Sequence, residues 1–224
     1  MKKENEILIK VCGLNEFENI KAIVNLQPDF MGFIFYEKSP RFVLNSLSLE
    51  DIESLKHNGK VGVFVNATIE NVVEISRKAN LNYIQLHGDE DDIYIAELKR
   101  QLNPEIKIIK VLRIGSEVKN FKSKIHHLKS PADYLLFDTD SKAFGGTGKT
   151  FDWRILNEVE IPKPYFLRGG ISVENFDEIQ NIKHQPFALD INSKFETQAG
   201  MKDLEKIREF IRILERESSH ELTD

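Results

Sequence analysis

Eight short apolar runs punctuate the chain, at residues 7–11, 30–35, 61–65, 83–86, 106–112, 134–137, 165–167 and 187–191. Successive runs start a little over twenty to about thirty residues apart, the length of one strand plus one crossover helix. They read as continuous Val, Ile, Leu and Phe, not as an alternation with polar residues, which is the pattern of parallel strands buried on both faces. Helix-like stretches lie between them at 16–26, 47–56, 69–79, 91–102, 173–182 and 201–217. In 69–79, for instance, Val72, Val73, Ile75, Ser76 and Ala79 share one stripe with the 3.6-residue period of a half-buried helix. Eight such repeats in 224 residues predict an α/β protein with a single (β/α)8 TIM-barrel domain spanning 1–224. An open doubly wound sheet is the alternative. It normally carries a glycine fingerprint after its first strand, and Cys12-Gly13-Leu14-Asn15 is not one. No linker or low-complexity segment divides the chain, and the polar ends, 1–5 and 218–224, are expected to fray.

Composition narrows the function. There are 31 Lys and Arg against 36 Asp and Glu, a net charge of -5, which argues against a general nucleic-acid binder that would need a basic face. Hydrophobic residues at 41% and charged residues at 30% describe a globular chain, not a disordered one. A lone cysteine excludes an intramolecular disulfide framework and a cysteine-cluster zinc site. The apolar run at 7–11 is too short for a signal sequence or membrane span, so a cytoplasmic location with no membrane partner is expected. His57, His126, His127, His184 and His220 lack metal-ligand spacing, and neither a metal nor a cofactor is expected.

In a barrel of this kind the chemistry sits at the C-terminal ends of the strands. Those ends carry Cys12, Lys38 to Arg41, Asn66, His87, Arg113, Asp138, Gly169-Gly170 and Asp190-Ile191-Asn192-Ser193. Cys12 is either a small buried hydrophobe or a reactive thiol. Lys10 shares its strand parity, and a nearby ammonium would favour the thiolate. Asp138 is either a turn former or, sunk at the end of an apolar strand, a carboxyl of raised pKa suited to general acid work. The segment 143–150 resembles a P-loop, but Ala143 occupies the position of that motif's first glycine, so a mobile glycine-rich lid is expected there. Gly169 and Gly170 precede a helix start, where backbone N–H groups make an anion site, and Asn192 with Ser193 supplies a second set of small polar groups. Pro40 stiffens the loop that carries Arg41, preparing its guanidinium for a carboxylate, whereas Lys38 reads as a solvated charge. His87 is a substrate contact or an ordinary turn histidine.

Taken together, seven segments in order resemble the phosphoribosylanthranilate isomerase family of tryptophan biosynthesis: residues 10–14, 32–41, 61–66, 85–90, 138–139, 145–153 and 169–171. The resemblance implies a barrel of the ribulose-phosphate-binding type. It also implies a cofactor-free Amadori rearrangement of N-(5-phosphoribosyl)anthranilate, an aldose–ketose isomerisation with a phosphorylated small molecule as substrate. The family's general base falls on Cys12, its general acid on Asp138 and its anthranilate-binding arginine on Arg41. His87 and Asp190 complete the expected substrate-binding set, and phosphate is expected at Gly169, Gly170, Asn192 and Ser193. The family contains monomers and homodimers. Two positions depart from its pattern: Arg168 stands where a small residue is usual, and Asn192-Ser193-Lys194 replaces Ser-Ser-Gly. Arg168 is expected to point outward and pair with a carboxylate on a neighbouring helix. The competing readings are the related isomerase of histidine biosynthesis, against which Cys12 in place of an aspartate argues, and a catalytically silent phosphate-binding barrel.

Overall fold

A computed structural model of the protein describes residues 6–115, 118–139 and 151–220. The strands are β1 (Leu8–Cys12), β2 (Phe30–Ile34), β3 (Lys60–Phe64), β4 (Tyr83–Leu86), β5 (Lys107–Ile114), β6 (Tyr134–Thr139), β7 (Tyr165–Arg168) and β8 (Ala188–Ile191). They pair in sequence order, all parallel, and β1 closes the barrel against β8. The helices are α1 (Phe17–Val24), α2 (Leu49–Ser54), α3 (Ile69–Lys78), α4 (Asp92–Gln101), α5 (Val118–His126), α6 (Phe176–Gln180) and α7 (Leu204–His220). Side-chain caps start several of them: Thr68 accepts from Asn71 N–H, Asp91 from Tyr94 N–H, and Ser48 forms a reciprocal box with Asp51.

Departures from the expected elements have local causes. Helix α5 is absent from the sequence pattern because it anchors on little more than Phe121 and Ile125 in a run of lysines and polar residues. Between β6 and β7 a 3-10 segment, Trp153–Glu158, buries Trp153, Ile155 and Leu156 where a full helix is usual. The stretch 173–182 divides into a 3-10 turn at Val173–Asn175 and the five-residue α6. Met201 and Lys202 belong to strand β10 (Met201–Lys202), paired with β9 (Glu196–Gln198). The last helix therefore starts at Leu204, with Asp203 accepting from the N–H groups of Glu205 and Lys206. It runs through His220, three residues into the stretch expected to fray. The glycine-rich segment 143–150 lies outside the described residues.

Two apolar layers hold the barrel. The larger, between strands and helices, includes Ile9, Val11, Met31, Phe33, Leu135, Phe137, Leu167 and Leu189. The smaller fills the lower barrel interior: Phe30, Val61, Ile109, Val111, Leu136, Phe166 and Ala188, with Leu8, Tyr83, Tyr134 and Phe187 packed against them. The Phe166 ring meets Phe30, Tyr134 and Phe187 at centroid separations of 5.2, 5.7 and 5.6 Å. Among the described residues no helix is long and apolar enough to cross a membrane.

Candidate active site

A step of two residues along a strand keeps the same face. From the aromatic floor, that step leads from Leu8 to Lys10 and Cys12, from Leu136 to Asp138, from Phe166 to Arg168, and from Ala188 to Asp190 and Asn192. On β4 it leads from Tyr83 to Gln85 and His87. All of these upper residues are buried. The interior changes from rings to ions and amides over one step, towards the C-terminal ends of the strands.

One group of these side chains is centred on Arg168. Its Nε lies 3.6 Å from Asp138 Oδ2 and 3.8 Å from Asp190 Oδ2, and its Nη1 lies 3.4 Å from His87 Nδ1. The expected outward orientation is thus reversed. The register explains it: Arg168 pairs with Asp190 and follows Phe166, a floor residue, on the same face. Gln85 Nε2 also approaches His87 Nδ1, at 2.9 Å. With two donors at Nδ1, the ring proton sits on Nε2 and faces Asp138 Oδ2 at 3.3 Å. Burial pushes His87 below the usual histidine value and keeps it neutral, against the pull of Asp138.

Asp138 corrects a second expectation. Burial pushes its carboxyl up, but the Arg168 guanidinium, the His87 hydrogen bond and the N–H of Thr139 more than offset this, and its pKa lies below the ordinary carboxylate value. In this arrangement Asp138 is a carboxylate. Lys10 corrects a third. Its ammonium is 3.0 Å from Asp190 Oδ1, both side chains being fully buried, so it serves Asp190 rather than the thiol.

Cys12 is fully buried at the end of β1 and lies against Ile34 and Val63. Opposite it in register is Gly32, where a Cβ would sit 2.9 Å from Cys12 Sγ, so the glycine makes room for the sulfur. Gly13 follows at φ 78°, and a Cβ there would lie 2.6 Å from Arg41 Cδ and 2.8 Å from Asn192 Oδ1. Arg41 thus reaches the strand end, but not with a free fork. Its Nε lies 2.8 Å from Glu196 Oε1 and its Nη2 2.5 Å from Oε2. Lys202 Nζ in turn donates to Glu196 Oε1 at 2.6 Å and to Asn192 Oδ1 at 2.7 Å. Burial pushes Lys202 down to about 8, against the pull of Glu196.

The loops at which phosphate is expected follow β7 and β8. Gly169 and Gly170 both have positive φ, 97° and 68°, and a Cβ on Gly169 would collide with Thr139 Oγ1 and approach Asp138 Oδ1 to 3.3 Å. Asn175 pins the turn by accepting from Ser172 N–H and donating to the Gly170 carbonyl. Ser193 opens a 3-10 turn, Ser193–Phe195, next to the end of β8. Asn192 Nδ2 is buried with no hydrogen-bond partner among the described residues. Asn66 and Arg113, by contrast, brace a loop: Asn66 Oδ1 accepts from Asp89 N–H, and Arg113 holds Asp89 and the carbonyls of His87 and Gly88.

Sequence reasoning missed Gln85, Glu196 and Lys202, and misplaced Arg168. Gly200 at φ 87° was the available turn signal for the hairpin that delivers Glu196 and Lys202. Among the described residues no group of three or more His, Cys, Asp or Glu side chains is arranged to hold a metal.

Comparison with known proteins gives a consistent result. A family model for N-(5'phosphoribosyl)anthranilate (PRA) isomerase matches residues 9–213. The N-(5'-phosphoribosyl)anthranilate isomerase of Parabacteroides distasonis is 41% identical over 209 residues, covering 92% of either chain. The solved phosphoribosyl anthranilate isomerase of Thermotoga maritima has a TM-score of 0.75 at 31% identity, covering 93% of this chain and 98% of that one. A phosphoribosyl anthranilate isomerase in complex with reduced 1-(o-carboxyphenylamino)-1-deoxyribulose 5-phosphate has a TM-score of 0.70 at 29% identity, covering 92% and 97%. The chain belongs to the N-(5'-phosphoribosyl)anthranilate isomerase family.

Proposed function

We propose that the protein converts N-(5-phosphoribosyl)anthranilate into 1-(2-carboxyphenylamino)-1-deoxyribulose 5-phosphate, the Amadori step of tryptophan biosynthesis, with Asp138 as acid and Cys12 as base. The observation that carries this assignment is their placement. Each is the last interior-facing residue of its strand, Asp138 on β6 and Cys12 on β1, and the buried Arg168 guanidinium lies 3.6 Å from Asp138.

Asp138 delivers a proton to the furanose ring oxygen, and the C1–O bond breaks to leave a protonated Schiff base. Cys12 then removes the proton on C2, its electron pair moves into the C1–C2 bond, and the resulting enolamine tautomerises to the ketone. Substrate and product are isomers, so no oxidant or reductant is consumed. The phosphate docks on backbone N–H groups around Gly169, Gly170, Asn192 and Ser193. Gly169 adjoins Asp138, so a phosphate dianion there opposes the pull of Arg168 and raises the proton affinity of Asp138 as substrate binds. His87 and Asp190 act through neighbours: His87 orients Asp138, and Asp190 holds Arg168 between two carboxylates. Arg41 receives the anthranilate carboxylate.

The test is direct. Purified protein is mixed with freshly prepared phosphoribosylanthranilate and the loss of its fluorescence is followed. Turnover is expected with no added cofactor. A decay no faster than the spontaneous breakdown of the substrate would refute the assignment.

A further inference from the structure

We infer that Glu196 and Lys202 are positioning residues for the substrate carboxylate, holding Arg41 by one edge of its guanidinium and giving the Arg41–Glu196–Lys202 cluster one net positive charge. The inference rests on the reading of Arg41 as the carboxylate receptor.

An arginine bound to a glutamate through both carboxylate oxygens is a closed, neutral pair. Alone it offers an incoming carboxylate little attraction and some repulsion from Glu196. Here Lys202 Nζ lies 2.6 Å from Glu196 Oε1, so two cations share one anion. Among the described residues Arg41 is bound through Nε and Nη2, which leaves Nη1 on the opposite edge for the substrate. Glu196 thus fixes the guanidinium plane, and Lys202 supplies the charge that Glu196 would otherwise cancel.

The local fold is arranged around this contact. Lys202 has a fully buried side chain, an expensive place for an ammonium unless its neighbours require it. Its backbone is held from both sides by Asn19 on α1, which accepts from Lys202 N–H at 2.9 Å and donates to its carbonyl at 3.0 Å. The β9–β10 hairpin turns at Gly200, whose N–H also reaches Glu196 Oε1. The ammonium binds Asn192 through Oδ1, and this fixes the amide so that Nδ2, buried and without a partner among the described residues, remains as a donor beside the strand end. Gly13 completes the arrangement, because any Cβ there would strike Arg41 and Asn192 together. Gly13 directly follows Cys12, which places the cluster next to the proposed base.

The readout is preference for a carboxylate. Affinities are measured for a reduced, non-reacting product analogue and for its counterpart lacking the ring carboxylate. The native protein is expected to prefer the carboxylated analogue by about tenfold or more. Lys202→Met is expected to cut that preference to within about threefold while leaving the affinity for the other analogue nearly unchanged, and Lys202→Arg is expected to restore most of it. Glu196→Gln, which keeps the shape but releases the fork, is expected to lower the preference and raise KM more than it lowers kcat. It carries the test if Lys202→Met does not fold. Equal weakening of both analogues in these variants, or an unchanged preference, would overturn the inference. Arg41→Gln separates the two levels. If it abolishes the preference while Lys202 and Glu196 variants keep it, the inference alone fails. If Arg41→Gln keeps it, the reading of Arg41 fails.

Discussion

Two residues separate Phe166 from Arg168 on β7, and the same step separates Leu136 from Asp138 on β6 and Ala188 from Asp190 on β8. Below the step, aromatic rings fill the barrel with centroid separations of 5.0 to 6.2 Å. Above it, four charged side chains and a histidine occupy the same cylinder: Lys10, Asp190, Arg168, Asp138 and His87, all buried. The floor stabilises the fold by removing apolar surface from water, at roughly 25 cal/mol per Å². The mouth adds little, since the attraction within buried ion pairs roughly offsets their desolvation cost. A barrel built for stability alone would continue the rings upward. The ionic layer marks where stability has been exchanged for chemistry.

The comparison can be broken at either end. At the mouth, Asp138→Asn should lower kcat by about 10²–10⁴-fold with KM changed only a few-fold, because the amide keeps the shape but delivers no proton. Steady-state kinetics check this; a change confined to KM would make Asp138 a binding group. At the floor, Phe166→Ala should cost about 3–5 kcal/mol of stability, read from denaturant midpoints, with kcat per folded molecule nearly retained. Loss of kcat without loss of stability would mean the two layers are not separable.

Arg168→Ser tests how the layer is tuned. Asp138 has a depressed pKa in the fold, so its contribution to stability is present above the unfolded carboxylate value and is lost as pH falls through the folded one. Removing the guanidinium leaves burial unopposed except by His87 and the Thr139 N–H. Asp138 should then titrate at higher pH, and acid destabilisation should begin at higher pH too. Carboxyl-carbon NMR of labelled aspartate follows this directly, and an unmoved Asp138 titration would show that Arg168 does not set its charge.

The strands were legible because parallel strands covered on both faces leave unbroken apolar runs. The run at 83–86 coincides with β4, and the others lie within one or two residues of their strands. The strand ends were legible as places, since Cys12, Asp138 and the Gly169-Gly170 pair stand where apolar runs stop. Their electrostatics were not. The orientation of Arg168 needed the register of a four-residue strand, and the charge state of Asp138 follows from that orientation. Glu196 was invisible for a different reason: its partner Arg41 lies 155 positions away, and only barrel closure between β8 and β1 brings the two loops together. Lys202 was hidden inside what reads as the start of a helix, until the turn at Gly200 turns it back as a strand.

Central to the mechanism is a single thiol, held in a space that Gly32 leaves open. The most direct test is single-turnover and steady-state kinetics of Cys12→Ala on fresh phosphoribosylanthranilate, with product-analogue affinity measured on the same preparation. Turnover should fall by at least about 10²-fold while affinity for the analogue stays within a few-fold. A Cys12→Ala protein that keeps near-native kcat would remove the thiol from the proton transfer and contradict the acid–base assignment.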